Sequence, residues 1–174
     1  MIETERLIIR PLTGNQLDSY MRCDNSLEIE LNLNLNLNPS QRTIPAELQE
    51  ALEQVILPAV ADKEKNYLFS TLWTMILKTE NRMTGDLCFY GEPNPEGEIE
   101  IGYGTYDEFQ NLGLMTEALS GMIRWVQTCP NVLAITASTE KTNPASFRVL
   151  EKNNFIKVGE TETMWKWRRV VRNS

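Results

Sequence analysis

Residues 106–119, YDEFQNLGLMTEAL, run from the end of an apolar strand pattern into an amphipathic helix. The junction carries Gln110 and a lone Gly113. A helix start leaves several backbone N–H groups unpaired, and together with the positive end of the helix dipole they form an anion site. Gly113 has no side chain to hold a phosphate off, and Gln110 adds an amide donor. The loop can therefore receive a pyrophosphate without a lysine, although a lone glycine at a helix start equally suits an ordinary turn. One strand earlier, Glu98 and Glu100 share a face by the two-residue period. They suit proton transfer through water, or a solvated strand face.

Other chemistries are narrowed by what is missing. The chain has no histidine, which removes every Ser-His or Cys-His dyad and every metal site with His ligands. Cys23, Cys88 and Cys129 are odd in number and far apart, so no zinc spacing is present and no metal is expected. They read as reduced thiols, and the protein as cytoplasmic. A net charge of −7 argues against nucleic acid and anionic membranes and suits a cationic partner such as an amine. The apolar stretch 67–77 falls short of a membrane span.

The elements that must hold these residues follow from periodicity. RLIIRPL (6–12) reads as a strand closed by Pro11, and GNQLDSYMRC as a helix capped by Thr13. Residues 45–60 form a helix with Leu48, Leu52, Val55 and Ile56 at helical spacing. Three strands follow, 67–78, 82–90 and 98–106, as an antiparallel meander. A helix at 114–127 turns Leu119, Met122, Ile123 and Val126 to one side. Then come a buried strand at 132–138, a helix at 143–153, and strands at 155–160 and 162–171. LNLNLNLN (31–38) fits a loop, a short strand or a helix. With 174 residues and no composition break, residues 1–174 are read as a single domain. The order β-α-α-β-β-β-α-β-α-β-β implies an α/β fold with a crossover helix between two parallel strands.

EIGYGTYDEFQNLGLMTEAL resembles the cofactor-binding motif of the GNAT N-acetyltransferase superfamily, which runs Gln or Arg, two residues, Gly, one residue, then Gly or Ala. Here the three positions are Gln110, Gly113 and Met115, the last departing from the usual small residue. GLMTEAL and TERLIIRPL resemble the branch that acetylates ribosomal-protein N-termini, and TNPASFRVLEKNNF resembles that branch's second motif. The resemblance covers nearly the whole chain. It implies a GNAT fold: a mixed, mostly antiparallel sheet of about seven strands with about four flanking helices, and a central parallel pair splayed around acetyl-CoA. The pantetheine arm would pair with Gly104, Thr105 and Tyr106, the pyrophosphate would meet the amides of 111–116, and Asn143 and Ser146 would flank the thioester.

The implied reaction is direct attack of a neutral primary amine on a thioester. A backbone N–H near Gly104 would receive the oxyanion, and Glu100 would take the proton through water. The usual acidic Tyr, seven residues after the motif Asn, is Leu150 here, so Ser146 is the nearest replacement. A lysine with pKa about 10.4 is only about 0.04% neutral at pH 7, against about 14% for an α-amine near 7.8. A modest catalytic kit thus favours a protein or peptide N-terminus, or another weakly basic small-molecule amine. A catalytically weak acyl-CoA-binding module on the same fold is the alternative. The sequence leaves a homodimer open. The basic run KWRRVVR (166–172) suits either the 3′-phosphate of CoA or a solvated sheet edge.

Overall fold

The computed structural model describes residues 1–35 and 44–172. Strand β1 (Ile2–Glu3) pairs with β2 (Leu7–Pro11), which buries Leu7 and Ile9 and ends on a proline past the β1 pairing, where no ladder donor is needed. Thr13 then caps α1 (Gly14–Arg22). Its hydroxyl accepts the Gln16 N–H, and the Gln16 side chain accepts the Thr13 N–H. A short α2 (Ser26–Glu30), absent from the sequence reading, follows.

The helix expected over 45–60 is present but not regular. α3 (Ala46–Ala51) passes through a π-helical stretch, Leu52–Ile56, into α4 (Leu57–Ala61). Pro58 explains the widening: it offers no N–H to the carbonyl four residues earlier and its ring crowds that turn. The strand expected over 67–78 is shorter. Residues Tyr67–Phe69 form a 3₁₀ turn, held at its start by the Asn66 side chain, and β3 covers only Leu72–Leu77. Of the LNLNLNLN run, residues 36–38 lie outside the described residues. Leu31 and Leu33 pack into the core, while Asn34 donates its side chain to the Glu80 carbonyl and its N–H to Asn81. That part of the run is laced to the turn that follows β3 and has no regular structure.

β4 (Arg82–Phe89), β5 (Glu98–Thr105), β6 (Ala134–Glu140), β7 (Ile156–Glu160) and β8 (Met164–Val170) complete an eight-stranded sheet of order β1-β2-β3-β4-β5-β6-β8-β7. All neighbours are antiparallel except β5 and β6, joined through α5 (Leu114–Val126) as a crossover. The strand beyond the expected number is the two-residue β1. α5 and α6 (Pro144–Lys152) pack on one face, burying Leu119, Met122, Ile123 and Val126 with the aromatic group Phe69, Trp73 and Phe89. α1 to α4 cover the other face over Leu72, Ile76 and Cys88.

The parallel pair positions the site. β5 and β6 are matched only from Glu98↔Ala134 to Glu100↔Thr136, yet β5 runs on to Thr105 and β6 to Glu140. Past residue 100 the two strands diverge and open a gap in the middle of the sheet.

Candidate active site

The backbone of β5 faces that gap with alternate residues. Tyr90 N–H donates to the Glu100 carbonyl and Tyr106 N–H to the Thr84 carbonyl, so the even-numbered residues use their backbone groups on β4. Antiparallel alternation then turns the N–H and C=O of Ile101, Tyr103 and Thr105 into the gap. The donors are thus those of Tyr103 and Thr105 rather than Gly104. Even-numbered side-chain positions look toward α1 to α4, where Asp86 lies directly across the ladder from Gly104.

A cavity of about 600 Å³ opens on the α5–α6 side. Among its lining residues are Gly104, Thr105, Gln110, Asn111, Gly113, Leu114, Met115, Thr116, Asn143 and Ser146. Two residues grouped with them on sequence grounds stand elsewhere. Leu112 is exposed and its carbonyl accepts from Arg6, and Tyr106 faces the opposite side of the sheet. Gly113 caps α5 at φ +74°, a left-handed conformation that glycine adopts without strain, and a Cβ there would meet only Arg6 Nη2 at 3.6 Å. The Gln110 amide is engaged within its own loop, donating to Asp107 at 2.9 Å.

The start of α5 and its loop are pinned from the turn between β1 and β2. Glu117, in the first turn of α5, accepts from the Thr4 hydroxyl at 2.6 Å, the Arg6 N–H at 2.7 Å and Arg6 Nε at 2.6 Å. Arg6 Nη1 donates to the Leu112 carbonyl at 2.9 Å. Burial pushes the Glu117 carboxyl up, but the Thr4 and Arg6 contacts outweigh it and hold the group below its ordinary value. At the other end of the cavity, Asn143 caps α6 by accepting the Ser146 N–H. The Tyr103 hydroxyl donates to the Ser146 carbonyl at 2.9 Å and lies 3.4 Å from Ser146 Oγ. Burial raises the Tyr103 phenol to about 12, the Ser146 contact opposing it, so the hydroxyl keeps its proton at neutral pH.

A second cavity, also about 600 Å³, opens on the α1–α4 side and shares Tyr103, Gly104 and Thr105 with the first. The two therefore meet at the diverging end of β5. They differ in charge. Among the described residues, the first is lined by Arg148 and Lys152 and no carboxylate, the second by Asp86, Asp107 and Glu108, of which Glu108 is paired with Arg82 at 2.7 Å and Asp107 accepts from the Gln110 amide. Asp86 is buried, and one of its oxygens accepts the hydroxyls of Tyr20 at 2.8 Å and Tyr106 at 3.0 Å. Cys88, on the same wall, has its thiol pushed up to about 12, by burial first and the Asp86 charge second, so it is no nucleophile.

Glu100 accepts from Ser138 Oγ at 2.8 Å and Glu98 pairs with Arg168 at 2.7 Å; neither lines either cavity. The basic run turns inward on the fold: Lys166 donates to Ser138, Arg169 to the Asn153 carbonyl, and Arg172 to the Pro130 and Gln127 carbonyls. The cations beside the first cavity are instead Arg148 and Lys152 on α6. Their i, i+4 spacing was the available signal. Asp86 also escaped the sequence reading, although a Gly-Asp pair inside an otherwise apolar strand is against strand propensity and marks the position. Among the described residues, no group of three or more carboxylates and cysteines is placed to hold a metal.

The family model described as acetyltransferase (GNAT) domain matches residues 6–156. The uncharacterized N-acetyltransferase YjdG of Bacillus subtilis (strain 168) is 34% identical over 84 residues, which is 48% of this chain and 50% of that protein's length. Two solved structures are similar in fold. RimL, a ribosomal L7/L12 alpha-N-protein acetyltransferase in complex with coenzyme A, matches with TM-score 0.66 and 17% identity over 96% of this chain and 95% of that one. AAC(6')-Ib in complex with ribostamycin and coenzyme A matches with TM-score 0.64 and 18% identity over 95% and 94%.

Proposed function

The chain belongs to the GNAT acetyltransferase family, and on that premise we propose that it moves an acetyl group from acetyl-CoA to a primary amine by direct attack. The observation that carries this reading is the meeting of two cavities at Tyr103, Gly104 and Thr105, where a strand pair diverges. The residues present fit the co-substrate. Gly113 leaves room at the helix start, Arg148 and Lys152 offer cations to phosphate groups, and the unpaired backbone of Tyr103 and Thr105 can pair with an amide-bearing arm. Acetyl-CoA supplies the acyl group already activated as a thioester.

The chain's own groups have three tasks. The N–H of Tyr103 receives the charge that develops on the carbonyl oxygen, leaving the Thr105 N–H to the arm; such a donor is worth roughly 10²–10³ in rate. Glu100, on the acceptor-facing side of β5 and steadied by Ser138, draws off the amine proton through water. Ser146 and Tyr103 lie at the sulfur end, where their hydroxyls donate to the departing thiolate. In balance, the N–C bond forms, the C–S bond breaks, one nitrogen proton goes to the sulfur, and the extra proton of an ammonium acceptor goes to solvent.

The acceptor belongs to the weakly basic primary amines, with a protein or peptide α-amine foremost. RimL is a ribosomal L7/L12 alpha-N-protein acetyltransferase, and AAC(6')-Ib is seen in complex with the aminoglycoside ribostamycin. The work is placed in the cytoplasm, on a monomer or homodimer, with neither nucleic acid nor membrane as partner.

Thiol release from acetyl-CoA, followed across small amines and N-terminal peptides, tests the proposal. Acceptor-dependent release is expected. A CoA-dependent thermal shift with no release on any amine would replace it with an acyl-CoA-binding module.

A further inference from the structure

The face of β5 that looks toward α1 to α4 carries glycine at two successive positions, Gly102 and Gly104, across the ladder from Cys88 and Asp86. The two are not equivalent. A Cβ built on Gly104 would meet nothing within 4 Å, so the strand is bare there. A Cβ built on Gly102 would stand 2.4 Å from the Tyr90 hydroxyl oxygen and 2.9 Å from the ring carbon that bears it. Gly102 is not among the glycines at positive φ, so its backbone does not call for glycine. What calls for it is the Tyr90 phenol, which lies where a side chain would be.

Tyr90 reaches that place from the end of β4. Its N–H donates to the Glu100 carbonyl one step past the last ladder pair, Phe89↔Ile101, which sets its side chain on the same face as Glu100. The diagonal position across an antiparallel pair is about 7–8 Å away, within reach of an aromatic side chain, and here it is Gly102. Tyr90 is 67% exposed and lines the second cavity with Gly102 and Gly104. Its hydroxyl has no hydrogen-bond partner among the described residues, which leaves a donor and an acceptor oxygen for a ligand. Burial first, then the neighbouring Cys88 and Glu100, raise the phenol above its ordinary value, so it keeps its proton at neutral pH. Positions two apart on one strand face are about 6.6 Å apart. The hydroxyl over Gly102 thus flanks the open space over Gly104, where the cavities join.

We propose that Tyr90 is a binding and specificity residue for the acceptor, its hydroxyl oxygen accepting one N–H of a primary amine seated over Gly104. The nitrogen keeps its lone pair for the thioester carbon and a second N–H for loss to water and Glu100, the strand neighbour of Tyr90. A secondary amine has a single N–H for both purposes and is disfavoured, so the contact selects primary amines. Pro45, Leu48 and Leu72 on the same wall suit an apolar or aromatic stem. The inference rests on the acetyl-transfer reading for its kinetics but not for its binding.

Two arms test it, with 2-phenylethylamine as the probe. In calorimetry on the CoA-loaded protein, Tyr90→Phe, which keeps the ring, should weaken amine binding by about three- to ten-fold, the scale of one lost hydrogen bond. Gly102→Ala, whose methyl would displace the end of the ring, should give a loss of similar size with Tyr90 intact. The double variant should lose no more than either single one, as expected of two changes that remove one contact, and CoA affinity should stay the same in all three. In turnover, Tyr90→Phe should lower kcat/KM for 2-phenylethylamine by a similar factor, through the acceptor KM and not the KM for acetyl-CoA, and should lower it less for N-methyl-2-phenylethylamine. Tyr90→Phe, a conservative change at an exposed position, decides the matter alone should Gly102→Ala fail to fold. No amine binding by the wild type, unchanged affinity in Tyr90→Phe, losses that add in the double variant, or an equal loss toward both amines would overturn the inference. The expected binding pattern without thiol release on any amine would sink the acetyl-transfer reading and leave this one standing.

Discussion

Gly113 and Tyr103 do different work at single positions. Gly113 holds φ +74° at the start of α5, where the open side of the loop faces the first cavity. A β-branched residue is a true outlier at positive φ, and its side chain would occupy the approach of a phosphate. Gly113→Val is therefore expected to weaken acetyl-CoA binding by at least ten-fold while the protein stays folded; titration calorimetry reads the first and circular dichroism the second, and unchanged affinity in a folded variant would dismiss the cradle. Tyr103 carries a phenol that burial holds up at about 12. It stays a donor throughout the working range, so Tyr103→Phe should lower kcat by a few-fold and by the same factor at neutral and mildly alkaline pH. A deficit that grows with pH would mean that the hydroxyl titrates and that burial has been misjudged. Glu100 stands outside both cavities and reaches the amine only through water. Glu100→Gln should lower turnover about ten-fold at neutral pH, the low end for a lost general base, and by less at high pH where the amine ionises unaided. An equal deficit at every pH would assign Glu100 to structure through its Ser138 bond.

At the scale of elements, the start of α5 and the loop before it are fastened to the turn between β1 and β2. Arg6 and Thr4 place three hydrogen bonds on Glu117, and Arg6 adds a fourth to the Leu112 carbonyl. The pair also offsets a carboxylate that would otherwise repel an anion at this helix start. The Glu117 carboxyl is held below its ordinary value, so its stabilising contribution is present above the unfolded value of about 4.3 and is lost as pH falls through the lowered folded one. Glu117→Gln should therefore lower Tm at neutral pH and flatten the decline of Tm in mild acid; a parallel decline in both proteins would remove Glu117 as a source of that slope. Much of this architecture was legible beforehand. Helix α5, its apolar side and the strand feeding it follow from periodicity, and the Thr13 cap from its residue type. The π-helical stretch at 52–56 was not, because Pro58 disturbs the turn before it rather than ending the helix. The Asp86–Tyr20–Tyr106 group and the Arg6–Glu117 pin were hidden for another reason: each joins residues far apart in the chain, and only the strand register brings them together. The basic run at 166–172 was open to two readings from its charge alone, and in the fold its cations meet neighbouring carbonyls, a hydroxyl and Glu98.

For the whole molecule, the sheet acts as a partition with one opening. On the proposed reading, the co-substrate lies on the face where Arg148 and Lys152 line the first cavity and the amine on the other. The net charge of −7 reinforces the amine side only, and Arg148 and Lys152 must supply the local field that the rest of the protein lacks. No helix among the described residues is long and apolar enough to cross a membrane. Because the cavities meet at Tyr103, Gly104 and Thr105, both substrates can be bound at once. The thiol on that wall, Cys88, is held at about 12 and cannot carry the acetyl group between them. The central claim is thus transfer within a ternary complex. Initial rates measured over a grid of acetyl-CoA and acceptor amine concentrations test it most directly: the account predicts double-reciprocal lines that intersect, and parallel lines, the signature of an acetylated enzyme formed before the amine binds, would contradict it.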